Sequence, residues 1–537
     1  MKQKFLHIAF VVSLIWISGL HGSLFAQAPL WIWAHDLGPY SGTMKAGNSG
    51  SVTSWGDYFV DTQIGDTVLK ASGHLSINSY FAQYDKNGKF NWARRIGGAL
   101  YGVSHINNRL LVSYVFIDSS QHSYVVGYYQ DSVEFNDTVM FSDGFISIFI
   151  AKYDSYGNRM WVKTIATNVQ PLYANAPDAY YYFVMTTQND RLFLAGTIGD
   201  LYTSKPLILQ IDTSGNVILK KILPFLGDCS NINIDSAGNL FFLCGVSTSD
   251  PSGGVFIRIM KMQYGDTNVV ADWDLKPNPT YFRITATALD GNDNYYITGQ
   301  FDGRFTIGDT TINSKGLPGE RPGHTVLLKL NSQGKFLWIR QMGDSVDYPN
   351  DLVTDERDNI YLVGHCYKSI IGADSVQLGY LVKYDPNGNV KWVINAKQKN
   401  GSWGGISLSI YHNILYLIGG FDRKVSFGNS TLGDSNASRM FIAAMDLGKG
   451  LSVPYSQTLL QDLRVFPNPT TGIITVHNAS ANIQHVTVSS ILGESVLELE
   501  HPNAPEFTLD LSKLPAGIYF ARFVMAGEVV SRKIIRE

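Results

Sequence analysis

The chain is 537 residues long, 16% charged and 45% hydrophobic, with a formal charge of −3 at pH 7. That length accommodates one large folded body and a small domain, and a mildly acidic chain without Lys/Arg runs argues against nucleic-acid binding and against an anionic membrane surface as partner. Its three cysteines, Cys229, Cys244 and Cys366, are too few for a disulfide framework and form no CxxC or His/Cys cluster, so no structural zinc is expected.

The N-terminus opens with a short basic region, Met1-Lys2-Gln3-Lys4, followed by nearly continuous apolar sequence from Phe5 to Leu20 and small residues at Ala26-Gln27-Ala28. This pattern predicts a signal peptide over residues 1–28. No later stretch reaches the roughly 20 apolar residues that a membrane-spanning helix needs, so the mature chain is expected to have no transmembrane segment. The absence of a cysteine near the cleavage site argues against an N-terminal lipid anchor.

From residue 29 to residue 446 one pattern recurs with a period of about 50 to 70 residues. Its clearest element is an apolar strand, an Asp or Asn turn, Gly three residues on and Trp four beyond. The copies are Tyr84-Asp85-Lys86-Asn87-Gly88 with Trp92, Tyr153-Asp154-Ser155-Tyr156-Gly157 with Trp161, Leu330-Asn331-Ser332-Gln333-Gly334 with Trp338, and Tyr384-Asp385-Pro386-Asn387-Gly388 with Trp392. A fifth, Ile211-Asp212-Thr213-Ser214-Gly215, has Leu219 in place of Trp. Each reads as a hairpin in which Asp caps the turn, Gly takes a positive φ and Trp fills the space between stacked sheets.

A strand ending in Gly precedes this hairpin in each period, as in Tyr124-Val125-Val126-Gly127, Tyr295-Tyr296-Ile297-Thr298-Gly299 and Ile360-Tyr361-Leu362-Val363-Gly364. Between the two elements a third strand is predicted at Ile64-Gly65-Asp66-Thr67, Phe135-Asn136-Asp137-Thr138, Ile307-Gly308-Asp309-Thr310 and Phe427-Gly428-Asn429-Ser430. Three strands and a Trp-bearing fourth predict the blade of a β-propeller. The last period lacks its Trp strand, and Trp31-Ile32-Trp33-Ala34-His35-Asp36-Leu37-Gly38 supplies a spare one that would complete the final blade and remove exposed strand edges. Cys244 lies inside an apolar strand, where a buried free thiol is the commoner state; a Cys229–Cys244 bridge is the alternative.

Across residues 29–446 the repeats resemble the bacterial SBBP-type β-propeller family. The resemblance implies an all-β, seven-bladed propeller with a degenerate fourth blade around Lys261 to Asp274, six or eight blades being the alternatives.

The turns admit several chemical readings. Asp385, Asn387 and Asn389 look like the start of an EF-hand loop, but Gly at the sixth position and Glu at the twelfth are absent, which favours a structural turn. The spacing does not fit the sialidase Asp-box, and the vicinal cysteine pair found in some quinone-dependent dehydrogenases is missing. No cofactor and no metal are expected. Histidines at 35, 74, 105, 122, 324, 365 and 412 are scattered, none in a nucleophile-elbow or zincin context. Ligand binding is expected at loops joining blades, where Trp55, Asp57, Tyr101, Tyr173, Asp347, Tyr348, Asn350, Asp351 and Trp403 fall outside the regular strand positions. Aromatic rings beside carboxylates and amides suit a glycan or protein ligand, although such residues more often pack between blades. The alternative is an extracellular enzyme, either a polysaccharide hydrolase or lyase or a quinone-dependent oxidoreductase.

Residues 447–462 are polar and Gly/Ser/Pro-containing, as expected of a linker. Beyond them, alternating stretches such as Ile473-Ile474-Thr475-Val476 and Phe507-Thr508-Leu509-Asp510-Leu511 predict a small β-sandwich. Phe466-Pro467-Asn468-Pro469-Thr470-Thr471-Gly472, Leu514-Pro515-Ala516-Gly517-Ile518-Tyr519-Phe520 and Ser531-Arg532-Lys533-Ile534-Ile535-Arg536-Glu537 resemble the type A C-terminal sorting domain of the Bacteroidota type IX (Por) secretion system over residues 463–537. The bland alternative is an ordinary immunoglobulin-like accessory domain. The resemblance implies recognition by the secretion machinery, removal of the tail during export, and a cell-surface or extracellular destination. The residues that would carry recognition are Pro467, Asn468, Pro469, Gly472, Gly493, Pro515, Gly517 and Lys533, each of which also suits a turn or strand.

Overall fold

The computed structural model describes residues 30–38, 42–47, 50–71, 78–98, 110–130, 132–142, 147–165, 183–188, 191–198, 205–224, 227–246, 256–263, 269–275, 281–314, 323–343, 347–366, 368–372, 374–433, 438–448, 463–478, 483–490, 495–500, 504, 506–525 and 528–537. Among them every regular element is a β-strand. The chain divides into two compact units, Met1–Gly448 and Lys449–Glu537.

The larger unit is a succession of antiparallel sheets, each built from four main strands taken largely in chain order. The first runs Gly42–Ala46, Val52–Tyr58, Asn78–Tyr84 and Phe90–Gly98, and the second Leu110–Ile117, Ser123–Tyr129, Ser147–Tyr153 and Arg159–Ile165. The third comprises Phe183–Gln188, Arg191–Ile198, Lys205–Asp212 and Val217–Ile222; the fourth Gly227–Ile234, Leu240–Val246, Phe256–Met262 and Val269–Leu275. The fifth comprises Tyr281–Leu289, Tyr295–Asp302, His324–Leu330 and Phe336–Met342; the sixth Asp347–Thr354, Ile360–Cys366, Tyr380–Tyr384 and Val390–Asn395. The seventh contains Gly401–Tyr411, Ile414–Arg423 and Ser438–Asp446, and its outer strand is Leu30–Gly38 from the other end of the chain, with Leu30 opposite Asp446. First strands of successive sheets pack against one another, and Gly401–Tyr411 packs against Gly42–Ala46.

The short segments expected as third strands are instead two-stranded hairpins between the second and third strands, such as Thr62–Ile64 with Thr67–Leu69 and Val425–Phe427 with Ser430–Leu432; the hairpin of Ser132–Phe135 with Thr138–Phe141 also pairs with the edge of the first sheet, Val133 opposite Gly98. Strands of three or four residues are shorter than the main strands of these sheets, which have five or more residues. The missing member of each sheet is its first strand, whose sequence reads as a loop. In Asp347–Thr354 the ladder to Ile360–Cys366 shifts register between Pro349 and Asp351, and equivalent shifts occur at Val112/Tyr114, Ile284/Ala286 and Gly405/Ser407. Such bulges break the two-residue alternation by which strands are recognised. They also explain the repeated glycine of the second strand: a Cβ at Gly364 would stand 2.4 Å from the Tyr348 carbonyl oxygen, which the bulge turns onto it.

The Asp-x-x-Gly turns form as expected. Asp85 Oδ1 accepts the Asn87 and Lys89 amides at 2.8 and 2.9 Å, and Gly88 donates to the Asp85 carbonyl at 2.9 Å. The Trp side chains fill the space between sheets, as expected, each docking on the turn of the next sheet. Trp92 Nε1 donates to Ser155 O at 3.0 Å, and its ring lies where a Cβ on Gly157 (φ +77°) would stand, 2.7 Å from Cδ2. Trp33 makes the same contact with Gly88 and donates to Lys86 O at 3.3 Å, so the N-terminal strand of the seventh sheet docks on the first. In the fourth sheet, expected to be degenerate, Trp273 lies against Gly334 of the fifth; it pairs with Ile259, two places along from Lys261, whose counterpart Lys329 faces Trp338.

A second series of turns, unrecognised in the sequence, joins first strands to second. Asp235, Asp290 and Asp355 accept the amides of Asn239, Asn294 and Asn359, and Asp293 and Asp358 adopt positive φ where the outer turns carry Gly. Asp tolerates this region because its short side chain bonds locally. Asp293 accepts the Ser236 amide and hydroxyl of the preceding sheet at 2.8 and 2.6 Å, and Asp358 accepts the Gly291 amide at 2.8 Å. Cys244 is disulfide-bonded, contrary to the favoured free thiol, and its register partner is Cys229, while Cys366 is free and buried. Cys229 and Cys244 are register partners on adjacent strands, a placement that overrides the general preference for a buried thiol.

The smaller unit contains a three-stranded sheet, Leu463–Phe466, Ile473–Asn478 and Glu506–Asp510, and a four-stranded sheet, Ser495–Glu500, Ile483–Ser490, Gly517–Met525 and Glu528–Arg536. Ile474, Val476, Val486, Val488, Leu509 and Phe523 fill one core between them.

Candidate functional site

The candidate ligand residues within the described chain all lie in strands, not in the expected connecting loops: Trp55 and Asp57 in Val52–Tyr58, Asp347, Tyr348, Asn350 and Asp351 in Asp347–Thr354, and Trp403 in Gly401–Tyr411. For Asp347, Tyr348, Asn350, Asp351 and Trp403 the cause is the bulged first strand described above, whereas Trp55 and Asp57 lie in the regular second strand of the first sheet. Tyr101 and Tyr173 lie outside the described residues.

Most of these side chains turn inward. Trp55 is buried and packs edge-on against Tyr114, with ring centroids 5.6 Å apart. Trp403 is buried among Phe427 and Phe441, under a cavity of about 430 Å³ that Asp422 and Arg439 also line. Asp347 is fully buried: its Oδ2 accepts the Ser369 hydroxyl at 3.1 Å, and its carbonyl accepts Gln300 Nε2 at 3.0 Å. Burial, reinforced by that carboxylate, pushes the neighbouring Cys366 thiol up to about 12, so it is protonated and unreactive as a nucleophile. Asp351 accepts Ser407 Oγ and the Leu408 amide, each at 2.8 Å, clasping the sixth sheet to the seventh. Burial raises its pKa, against those hydrogen bonds and the nearby Lys45. Lys45 is held charged chiefly by Tyr114, with Asp351 contributing.

Two candidates form an outward-facing group. The Tyr348 ring stacks on His365 at 4.8 Å with an interplanar angle of 6°. Asn350 Nδ2 donates to Gly405 O at 2.6 Å, which fixes the amide's orientation, and the same nitrogen lies 3.3 Å from His365 Nδ1. Nδ1 is therefore the acceptor and Nε2 carries the proton. Desolvation of the ring, one face of which is covered by Tyr348, lowers the His365 pKa and keeps it neutral near pH 7. His365 was indistinguishable in sequence from the other scattered histidines; its place directly after Gly364, opposite the bulge, is the signal that could have found it. The group sits at the end of its strands opposite the Asp355 turn. It offers a ring face, an N–H donor and an amide, which suits recognition of a hydroxyl-rich or peptide ligand better than covalent chemistry.

Asp57 lies in the first sheet. Burial raises its carboxyl to about 6, against an opposing hydrogen bond from Ser79 Oγ at 2.5 Å. The folded protein holds this proton more tightly than the unfolded chain, so Asp57 favours folding at acid pH and that contribution is lost as pH rises from about 4 through about 6. A displacement of this size is worth about 3 kcal/mol. The stability of wild type relative to D57N is accordingly expected to fall by about 3 kcal/mol between about pH 4 and pH 7. Parallel urea melts across that range check this, and a constant difference contradicts it.

In the smaller unit the two ends of the segment are clipped together. Asn468 Nδ2 donates to Lys533 O at 2.6 Å, Ile535 N donates to Asn468 Oδ1 at 2.9 Å, and Thr470 N donates to Ile535 O at 2.8 Å. Pro467 and Pro469 flank this clip, both exposed, and both follow cis peptide bonds. A Cβ at Gly472 would collide with Ser512 Oγ at 2.3 Å. Tyr519 donates to Pro515 O at 2.9 Å, while Gly517 and the Lys533 side chain are exposed. Phe466, Ile473, Ile518 and Phe520 are also solvent-exposed. Gly493 lies outside the described residues.

Residues 464–537 match the secretion system C-terminal sorting domain family. The chain thus carries a sorting domain of the type IX system, which directs export to the cell surface or extracellular space and implies interaction with that secretion machinery. No curated protein matches the chain. Similar solved structures include the polysaccharide lyase Uly1, with a TM-score of 0.42 at 11% identity over 80% of this chain and 94% of that one. The polysaccharide lyase PL25-Ulvanlyase gives 0.39 at 12% over 77% and 95%, and the Synechocystis apocarotenoid oxygenase 0.38 at 10% over 79% and 95%. At these values the likeness says nothing about activity. Among the described residues no helix is long and apolar enough to cross a membrane, and no group of three or more His, Cys, Asp or Glu side chains could hold a metal ion.

Proposed function

We propose that the chain is an exported binding or scaffold protein: a seven-bladed β-propeller that engages a glycan or protein ligand at its channel mouth and reaches the outside by its C-terminal sorting domain. On this reading the four-stranded sheets are the blades, and Leu30–Gly38 closes the ring. The pairing of that strand with Ser438–Asp446, and the docking of Trp33 on Gly88, support closure. Residues 1–28 act as a signal peptide, 447–462 as a linker, and 463–537 as an immunoglobulin-like sandwich. Pro467, Asn468, Pro469, Gly472, Gly493, Pro515, Gly517 and Lys533 contribute to recognition by the secretion machinery.

The observation that carries the binding assignment is the stack of the half-buried Tyr348 on the exposed His365, steadied by Asn350. Two measurements test the proposal. Truncation after Asp462 is expected to leave the body folded but retained in the periplasm, and normal surface display of the truncated protein would overturn the export role. A glycan and peptide array is expected to give hits that Y348A and H365A each weaken at least tenfold, a loss of about 1.4 kcal/mol. Hits that persist in both variants would move the ligand elsewhere.

A further inference from the structure

The turn ends of the first and second sheets hold a second concave surface, at the opposite end of the strands from Tyr348 and His365. A groove of about 900 Å³ runs between the Asp85 and Asp154 turns, lined by Lys86, Lys89, Asn91, Arg94 and Tyr156 among others. It adjoins a smaller pocket of about 280 Å³ that shares Arg94 and is lined also by Arg95 and Arg159.

The charges here differ in how far they are already used. Arg95 pairs with Glu134, and Arg159 with Asp137. Arg94 has no carboxylate partner among the described residues: its guanidinium donates to the carbonyls of Gly157, Tyr156 and Ala93 at 2.6, 2.8 and 2.9 Å, lying 5.4 Å over the Trp92 ring. The exposed Lys86 and Lys89 form no ion pair among the described residues. Of the nearby carboxylates, Asp85 lines the groove and Asp154 lies close enough for its charge to act on Arg94, and both carry hydrogen bonds from their own turns. Asp85 Oδ1 accepts the Asn87 and Lys89 amides, and Asp154 Oδ1 accepts those of Tyr156 and Asn158. The result is a cationic surface on a chain whose formal charge is −3, where a fixed guanidinium and two mobile ammonium groups favour an anion.

The neutral groups narrow the ligand. The Asn87 and Asn91 amides make no hydrogen bond among the described residues, and Tyr156 is 76% exposed beside them. Much of the main chain of both turns is already committed. Gly88 and Gly157 donate within their turns, and the carbonyls of Lys86, Ser155, Tyr156 and Gly157 accept from Trp33, Trp92 and Arg94. A peptide that binds by adding a strand would find no backbone ladder to join. Open amides, an exposed ring and unpaired cations suit a sugar chain with acidic substituents. We infer that this groove is a binding site for acidic oligosaccharides, with Lys86, Lys89 and Arg94 engaging carboxylate or sulfate groups and Tyr156 stacking on a sugar ring.

The test is titration calorimetry on the full mature protein with oligogalacturonate, chondroitin sulfate oligosaccharide, neutral maltohexaose and oligoglutamate, at low and high salt. At least one acidic oligosaccharide is expected to bind, weakening as salt rises, whereas maltohexaose does not bind. Preference for oligogalacturonate assigns the anion as carboxylate, and preference for chondroitin sulfate assigns it as sulfate. The double variant K86Q/K89Q and the single variant Y156A, all at exposed positions, are each expected to lose at least tenfold in affinity, while K205Q in the third sheet retains it. The inference is overturned by equal binding of maltohexaose, by oligoglutamate binding as tightly as the glycans, by affinity unchanged in K86Q/K89Q, or by no binding of either acidic glycan.

Discussion

Deletion of Leu30–Gly38 is expected to abolish the cooperative unfolding of the larger unit and to drive the protein into soluble oligomers or aggregates. The strand makes a full antiparallel ladder with Ser438–Asp446, from Leu30 opposite Asp446 to Gly38 opposite Met440. It buries Trp33, Ala34 and Leu37 in cores shared with both ends of the unit. Asp36 pairs with Arg439 at 2.7 Å, and Trp33 donates to Lys86 O. Losing a buried Trp alone costs about 3 to 5 kcal/mol, and the ladder and Leu37 bring the total to the order of a whole domain's stability, about 5 to 15 kcal/mol. What remains is an unpaired edge on an apolar strand, the situation in which chains join through their sheets. Circular-dichroism melts and size-exclusion chromatography read both effects. A deletion variant that melted as a monomer at the wild-type temperature would show that the strand is dispensable. W33A, which keeps the ladder, is expected to be destabilised by only about 3 to 5 kcal/mol.

The second large effect is expected at Gly364. Its added methyl would meet the Tyr348 carbonyl at 2.4 Å and the Tyr380 hydroxyl at 2.5 Å, distances that no side-chain rotation relieves, because the nearest atom is backbone. Tyr380 is itself fully buried. G364A should therefore force the bulge of Asp347–Thr354 outward, at a cost at or above the upper end of the roughly 1 to 3 kcal/mol typical of overpacking. Tyr348 and His365 adjoin the displaced atoms, so the ring stack should open as well. G404A supplies the control: an added Cβ there meets nothing within 4 Å, and its stability should stay close to wild type. Urea denaturation of the pair measures the difference, and equal midpoints would refute the close-approach account.

Legibility in the sequence followed how each residue is held. Asp85, Gly88 and Trp92 recur because one turn geometry and one docking contact recur, so the outer hairpins and the spare strand at Trp31–Gly38 could be read directly. Trp273 escaped because it pairs two places along from the usual position, although its contact with Gly334 keeps the pattern. Two of the inner turns escaped because Asp293 and Asp358 occupy the positive-φ place that Gly fills in the outer turns, and the Asp235 turn because Gly238 is followed four residues on by Phe242 rather than Trp. The first strands escaped because Asp347-Tyr348-Pro349-Asn350-Asp351 carries a bulge and no alternation. That last failure bears most on function: residues read as loop ornaments proved to be strand residues, some buried as Asp347 is, others paired outward as Tyr348 is with His365. In the tail, both ends of the motif were legible, but the Asn468–Lys533 clip joining them was not, since it depends on a main-chain carbonyl.

The pairing of Leu30 with Asp446 also sets a timetable. These partners stand almost the whole unit apart in sequence, and contacts of such long range form late and slowly. The seventh sheet cannot be completed until the segment ending at Asp446 is available, however early Leu30–Gly38 emerges. Until then the early strand has no sheet to join, and the other sheets stand as an open array. The chain that must be exported is therefore one whose first strand waits for nearly its last, a reason for the period before export to be the time of greatest exposure to misassembly.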